Sequence, residues 1–112
     1  MDCLFCMIAN KEIQSDLIYE DEFVVAFKDI NPQAPVHFLV VPKVHIKSID
    51  HLGDDHDRLI SHIFKLIPNL AREQGIENGY RVVNNCGPEG GQSVDHIHFH
   101  VLGKREMLWP PG

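Results

Sequence analysis

His96-Ile97-His98-Phe99-His100-Val101 alternates polar and apolar residues without a break. In an extended chain, side chains two apart point to the same side. The pattern predicts a strand over residues 96–102 with three imidazoles on one face, spanning roughly 13 Å at about 3.3 Å per residue. Ile97, Phe99 and Val101 then face the other way, into a core. Three readings of the histidine face compete. It is a polar solvent face on an edge strand, a metal site in which His-x-His presents two ring nitrogens to zinc, or a nucleophilic centre in which one histidine attacks and its neighbours manage protons and charge. Lys, Thr or Glu would serve a solvent face equally well, which weighs against the first.

The residues just upstream help to choose. Cys86-Gly87-Pro88-Glu89-Gly90-Gly91-Gln92-Ser93 places three glycines and a hydroxyl directly before the histidines. Such a loop is either a tight turn or a nest whose backbone N–H groups converge on an anion. It is not a Walker loop, because no Gly-Lys-Ser/Thr follows. Set immediately before His-x-His-x-His, it reads as an oxyanion cradle beside a nucleophile.

Further out, residues 3–10 fit a short helix with Asp2 as N-cap, Leu4, Phe5 and Ile8 sharing a face. Residues 17–19 and 23–27 read as strands around an Asp21-Glu22 turn. Asp29 to Pro35 is a loop with two prolines. Residues 37–41 form a near-continuous apolar strand ended by Pro42. Leu59, Ile63, Ile67 and Leu70 recur at helical spacing, predicting a helix over residues 54–74, capped by Asp54 or Asp55, kinked at Pro68 and closed by Gly75. His56 and His62 fall on its wet side and read as merely solvated. Residues 80–84 are another strand, and residues 107–112 a proline-bearing tail. Strands in consecutive pairs, interrupted by one long helix, favour an α+β fold on an antiparallel sheet.

The 112 residues fit one domain over residues 1–112, and a hydrophobic fraction of 44 % supplies a core. So small a domain gains from burial in a dimer. A formal net charge of -6 argues against binding a nucleic-acid backbone, though not against a single nucleotide in a pocket. There is no apolar run long enough for a membrane span and no basic N-terminal region of a signal peptide. The three cysteines, two of them spaced as Cys3-x-x-Cys6, suit a reducing cytosol, with metal binding or free thiols rather than a disulfide framework.

The stretch from Gly91 to Gly103 resembles the signature of the histidine-triad (HIT) family, His-φ-His-φ-His-φ-φ with φ apolar. The tail Trp109-Pro110-Pro111-Gly112 resembles that of its nucleotide-binding (HINT) branch, as do residues 27–37 and 41–46. The resemblance runs from about Leu4 to Gly112. It implies an antiparallel sheet of about five strands with two helices, paired into a homodimer. It also implies hydrolysis of purine nucleoside phosphoramidates or acyl adenylates to a nucleoside monophosphate, without a catalytic cofactor.

By motif position, the resemblance makes His98 the nucleophile, His100 a contact to the phosphate or its bridging atom, and Ser93 a donor to the phosphate or leaving nitrogen. His96 and His37 support His98. Asp29 accepts from the ribose hydroxyls, which suits a carboxylate. Leu4, Phe5, Ile13, Phe27 and Ile30 line a slot for the base. Asn85, Gly91 and Val94 line the phosphate or ribose. Several members of the branch lack the Cys3-x-x-Cys6 pair. Members that have it bind zinc through those cysteines and two histidines, which here are His45 and His96, a Cys₂His₂ set suited to a structural site. Asp95 stands where an aromatic is frequent, Lys28 beside Asp29 bears on base preference, and Cys86 is an unpaired loop residue. Two rival functions remain: a nucleotide-binding regulatory protein with weak hydrolase activity, using Trp109 and the prolines as a contact surface, and a zinc-dependent hydrolase.

Overall fold

Both faces of a central antiparallel sheet are covered, which is why its middle strand shows no alternation. The computed structural model describes residues 3–112. In chain order it contains α1 (Leu4–Ala9), β1 (Leu17–Glu20), β2 (Val24–Lys28), β3 (Val36–Pro42), two single-turn 3₁₀ helices, α2 (Asp57–Glu73), β4 (Tyr80–Val83) and β5 (Phe99–Gly103). The five strands lie in the order β1-β2-β3-β5-β4, every neighbouring pair antiparallel. This is the α+β architecture of five strands and two helices that the resemblance implies.

Strand periodicity divides the side chains between two cores. Val24, Ala26, Phe38, Val40, Phe99 and Val101 pack with Ile63, Leu66, Ile67, Leu70 and Ala71 of α2. Val25, Phe27, Leu39 and Val41 face the opposite way and pack with Cys3, Phe5, Ile8 and Ala9 at α1. The histidines belong to this second side.

Several boundaries differ from the sequence expectation. The cap of α1 is Cys3, whose thiol accepts from the Cys6 amide at 3.2 Å; Asp2 lies outside the described residues. Neither Asp54 nor Asp55 caps α2. They occupy a separate 3₁₀ turn, Asp54–His56, and the α-helix starts at Asp57. The helix continues past Pro68 to Glu73. It ends in a Schellman motif: Gly75 adopts φ 89°, its amide donates to Arg72 and the Ile76 amide to Ala71. The last strand is shorter than predicted. Its ladder begins at Phe99, and the amide of Ile97 is instead taken by the Ile46 carbonyl at 2.7 Å. The alternation of side chains survives outside the ladder, since Ile97 lies in the α2 core with Phe99 and Val101.

His56 and His62 are not merely solvated. The Nδ1 of His56 accepts from the Gly53 amide. His62 donates from Nε2 to Asp21 at 2.6 Å and so clips α2 to the β1–β2 turn. Asp21 also accepts from the amides of Phe23 and Val24 and from the Tyr19 hydroxyl. Burial opposes ionisation of this carboxyl, but the four donors outweigh it and pull its pKa down to about 2. An acid depressed in the folded state stabilises the fold above its unfolded pKa of about 3.9 and loses that contribution as pH falls toward the folded value. Asp21→Ala is therefore expected to cost about 1–3 kcal/mol near neutral pH. In denaturant unfolding, the gap between parent and variant should close between about pH 4 and pH 2.

Candidate functional site

β3 and the approach to β5 lie side by side and bring four histidines into one layer under α1. His37 sits on β3 and His100 on β5, two registers apart. His96 and His98 lie on the extended stretch just before β5. Phe5 of α1 stands edge-on to His98, ring centroids 4.9 Å apart, and to His96 at 6.1 Å. His98 and His100 are neighbours at 5.1 Å. The layer is not solvent-facing: His96, His98 and His37 are buried, His98 to 2 % exposure, and His100 is half-buried.

Backbone groups select the tautomer of each ring, because a neutral imidazole has one donor and one acceptor nitrogen. His98 donates from Nδ1 to the carbonyl of His96 at 2.8 Å, which leaves its Nε2 with a free lone pair. His96 donates from Nε2 to the carbonyl of Pro42 at 2.8 Å, so its Nδ1 is bare. The Nδ1 of His37 accepts from the Gln33 amide at 3.1 Å. Its proton is then on Nε2 and is donated to Nδ1 of His100 at 2.9 Å, with Asp29 Oδ2 at 3.4 Å from the same nitrogen. His100 carries its own proton on Nε2. The result is an unprotonated Nε2 on His98 beside an N–H on His100.

Burial also keeps these rings neutral. It lowers the pKa of His98 and of His37 against the pull of Asp29, and that of His96 against its bond to Pro42. For His100, burial and the neighbouring His98 and His37 push it down to about 4. A neutral imidazole at pH 7 is the state a nitrogen nucleophile requires.

Among the described residues, two groups of side chains have ligating atoms within 4.8 Å of one another. The first is Cys3, Cys6, His45 and His96. The bare Nδ1 of His96 lies 3.2 Å from Cys3 Sγ, 3.4 Å from Cys6 Sγ and 3.2 Å from His45 Nδ1. Ligand atoms around a zinc ion at about 2.0–2.3 Å stand a little over 3 Å apart, so both the geometry and the donor types fit. Burial, with the neighbouring Cys3 thiol, pushes Cys6 up to about 11; a divalent cation reverses that balance by binding the thiolate. The second group is Asp29, His37 and His100. It suits a cation poorly, because a metal there would need Nε2 of His37 bare, turning the ring's proton against the Gln33 amide.

The glycine-rich loop is a locked turn. Gly87 and Gly91 adopt φ 75° and 79°, and a Cβ on Gly90 would sit 2.3 Å from the Cys86 carbonyl oxygen. Gln92 accepts from the Gly87 amide and donates to the carbonyls of Lys47 and Val94 at 2.7 and 3.0 Å. Ser93 is exposed at its end. Ser93 and Val94 share a cleft of about 660 Å³ with Leu4, Cys3, His45, Gln92 and Asp95. Asp29 and His37 line a separate hollow of about 280 Å³. The residues expected around the base differ in exposure. Phe5 and Phe27 are buried in edge-to-face contact at 5.6 Å, Leu4 and Ile13 are partly exposed, and Ile30 is 99 % exposed. Asn85 is half-buried.

A family model described as "Scavenger mRNA decapping enzyme C-term binding" matches residues 2–109. An uncharacterized HIT-like protein of Synechococcus elongatus is 44% identical over 111 residues, 99% of this chain and 97% of that protein. A 14 kDa zinc-binding protein of Zea mays is 48% identical over 111 residues, 97% of this chain and 87% of that protein. The crystal structure of a HIT family hydrolase from Legionella pneumophila superposes with a TM-score of 0.97 at 48% identity, covering 99% of this chain and 100% of that one.

Three positioning groups escape the sequence reading: the Gln33 amide, Gln92 and Asn84. Gln92 stands within the glycine-rich motif, where a long amide amid glycines is a usable signal. Gln33 acts through its backbone, which no side-chain pattern reveals. Asn84 lies one residue from the expected Asn85, and its Nδ2 donates to the His98 carbonyl at 2.9 Å. Because Gln92 makes three bonds across the loop, Gln92→Ala is expected to lower stability by about 1–3 kcal/mol. Hydrogen exchange should quicken at the Gly87 amide while amides in the centre of β3 keep their protection.

Proposed function

This chain belongs to the histidine-triad family of hydrolase-like proteins, and from that footing we propose that it hydrolyses the P–N bond of purine nucleoside phosphoramidates through a nucleotidyl-His98 intermediate. The observation that carries this reading is the His98 ring, held by the His96 carbonyl with Nε2 unprotonated and an N–H of His100 alongside. In the first step Nε2 attacks phosphorus. The P–N bond to the amine breaks, and the amine leaves with a proton supplied by His100 or Ser93. In the second step water attacks the same phosphorus and passes its proton to the group that protonated the amine, the P–Nε2 bond breaks and the nucleoside monophosphate departs. Each displacement asks the protein for positioning and charge neutralisation, and no step is routed through a metal or cofactor.

His96 and His37 orient the reacting pair, His37 through its hydrogen bond to Nδ1 of His100. Gly91 and the loop before Ser93 receive the phosphate oxygens, with Asn85 and Val94 beside them. Asp29 accepts from the ribose hydroxyls. Leu4, Phe5, Ile13, Phe27 and Ile30 supply apolar surface to the base. Among the described residues no helix is long and apolar enough to cross a membrane. The proposal includes a single cytoplasmic domain acting as a homodimer without nucleic acid; the edge position of β4 and the exposed Tyr80, Leu108 and Trp109 support a second copy there.

Incubation with an adenosine phosphoramidate, followed by rapid quenching and mass spectrometry, should reveal AMP attached to the peptide containing His98. His98→Asn should abolish the adduct and lower AMP release by about 10³-fold or more. Absence of any adduct on the parent during turnover would sink the covalent route.

We further propose one structural zinc per chain, held by Cys3, Cys6, His45 and His96. Bound zinc would cross-link α1 to the histidine layer and take no part in bond breaking. Elemental analysis should find about one zinc per chain. A strong chelator should lower the melting temperature, with the remaining folded protein still releasing AMP. Loss of turnover in chelated protein whose fold is intact would favour the zinc-dependent hydrolase instead.

A further inference from the structure

The stretch that carries His98 lies outside the sheet ladder. Pairing of β5 with β4 reaches only Val83↔His100, and pairing with β3 only Val40↔Phe99. Upstream of these points the chain is held by separate bonds. Ile97 N–H donates to Ile46, His96 Nε2 donates to Pro42, and Asn84 Nδ2 donates to the carbonyl of His98 itself. Asn84 is the first residue after β4. Its side-chain amide therefore extends the hold of β4 on this chain beyond the last backbone pair.

Asn84 is also poorly satisfied. Its Oδ1 is buried and, among the described residues, is the one buried side-chain polar atom without a hydrogen-bond partner. An amide left half-paired away from water is destabilising. An apolar residue of similar size would avoid that cost but would leave the His98 carbonyl without its donor. What it supplies is a donor aimed at the main chain of the proposed nucleophile.

We propose that Asn84 is a positioning residue for His98: it fixes the peptide beneath the ring so that Nε2 approaches phosphorus along one line. This rests on the nucleotidyl-His98 reading above. Asn84 acts through the main chain of His98, so it should govern the rate of attack and leave nucleotide binding nearly untouched. Small misplacements of a reacting group lower rate steeply.

Asn84→Asp retains the shape and replaces the donor with an acceptor facing the carbonyl; Asn84→Leu removes both polar atoms. For each variant, kcat and KM would be measured with an adenosine phosphoramidate, AMP affinity by calorimetry, and the His98 tautomer by long-range ¹H–¹⁵N correlation. The expected result is a fall in kcat of about 10- to 100-fold, with KM and AMP affinity unchanged within about twofold and a mixed His98 tautomer replacing a pure Nδ1–H form. Should the Leu variant fail to fold, the isosteric Asp variant carries the test. Parent-like kcat with a pure Nδ1–H tautomer would overturn the proposal, as would parallel losses in kcat, KM and melting temperature. If the parent itself releases no AMP, the phosphoramidase reading fails, and the tautomer measurement still decides whether Asn84 holds His98.

Discussion

A single hydrogen bond, from Nδ1–H of His98 to the carbonyl of His96 two residues back, sets what this layer of histidines can do. An imidazole that donates from one nitrogen has only the other left to react. Because the acceptor belongs to the same short stretch of chain, the ring cannot turn without breaking that bond. The pins on that stretch follow from this need: Ile46 takes the Ile97 amide, Pro42 takes the His96 ring and Asn84 holds the His98 carbonyl.

Burial completes the effect. Imidazoles in open water near pH 7 would be divided between charged and neutral forms. Beneath Phe5 and between β3 and β5, desolvation outweighs the attraction of Asp29 and the rings remain neutral. Asp29 is itself engaged, accepting from the Asn31 amide at 2.8 Å. The Gln33 amide then orders the protons by occupying Nδ1 of His37. His96 serves two neighbourhoods: its carbonyl holds the His98 ring, and its bare Nδ1 faces Cys3, Cys6 and His45. The same residue thus connects the cysteine cluster at the start of α1 with the proposed nucleophile.

Much of the fold was legible because hydrophobic periodicity has a simple geometric cause. Leu59, Ile63, Ile67 and Leu70 could share a face only on a helix, and Ile97, Phe99 and Val101 could face one core only on an extended chain. Boundaries were harder. The 3₁₀ turn before α2, the helical run through Pro68 and the late start of β5 depend on which backbone partner lies nearby in space. His62 read as a solvated helix residue because its partner, Asp21, is distant in sequence and close only after β1 and β2 pair.

From the sequence alone came the side-chain types, their alternation along residues 96–101, the glycines able to adopt left-handed backbone, and the proximity of two cysteines at one helix start. These are local properties, determined by covalent geometry and neighbours along the chain. Which imidazole nitrogen is free, whether a ring is neutral, and which distant ligands converge were decided by the tertiary structure. Tautomer, desolvation and coordination depend on groups that approach through space, and the Gln33 amide, the Pro42 carbonyl and Asn84 become neighbours of the histidines only when β3, β4 and the chain leading into β5 are assembled.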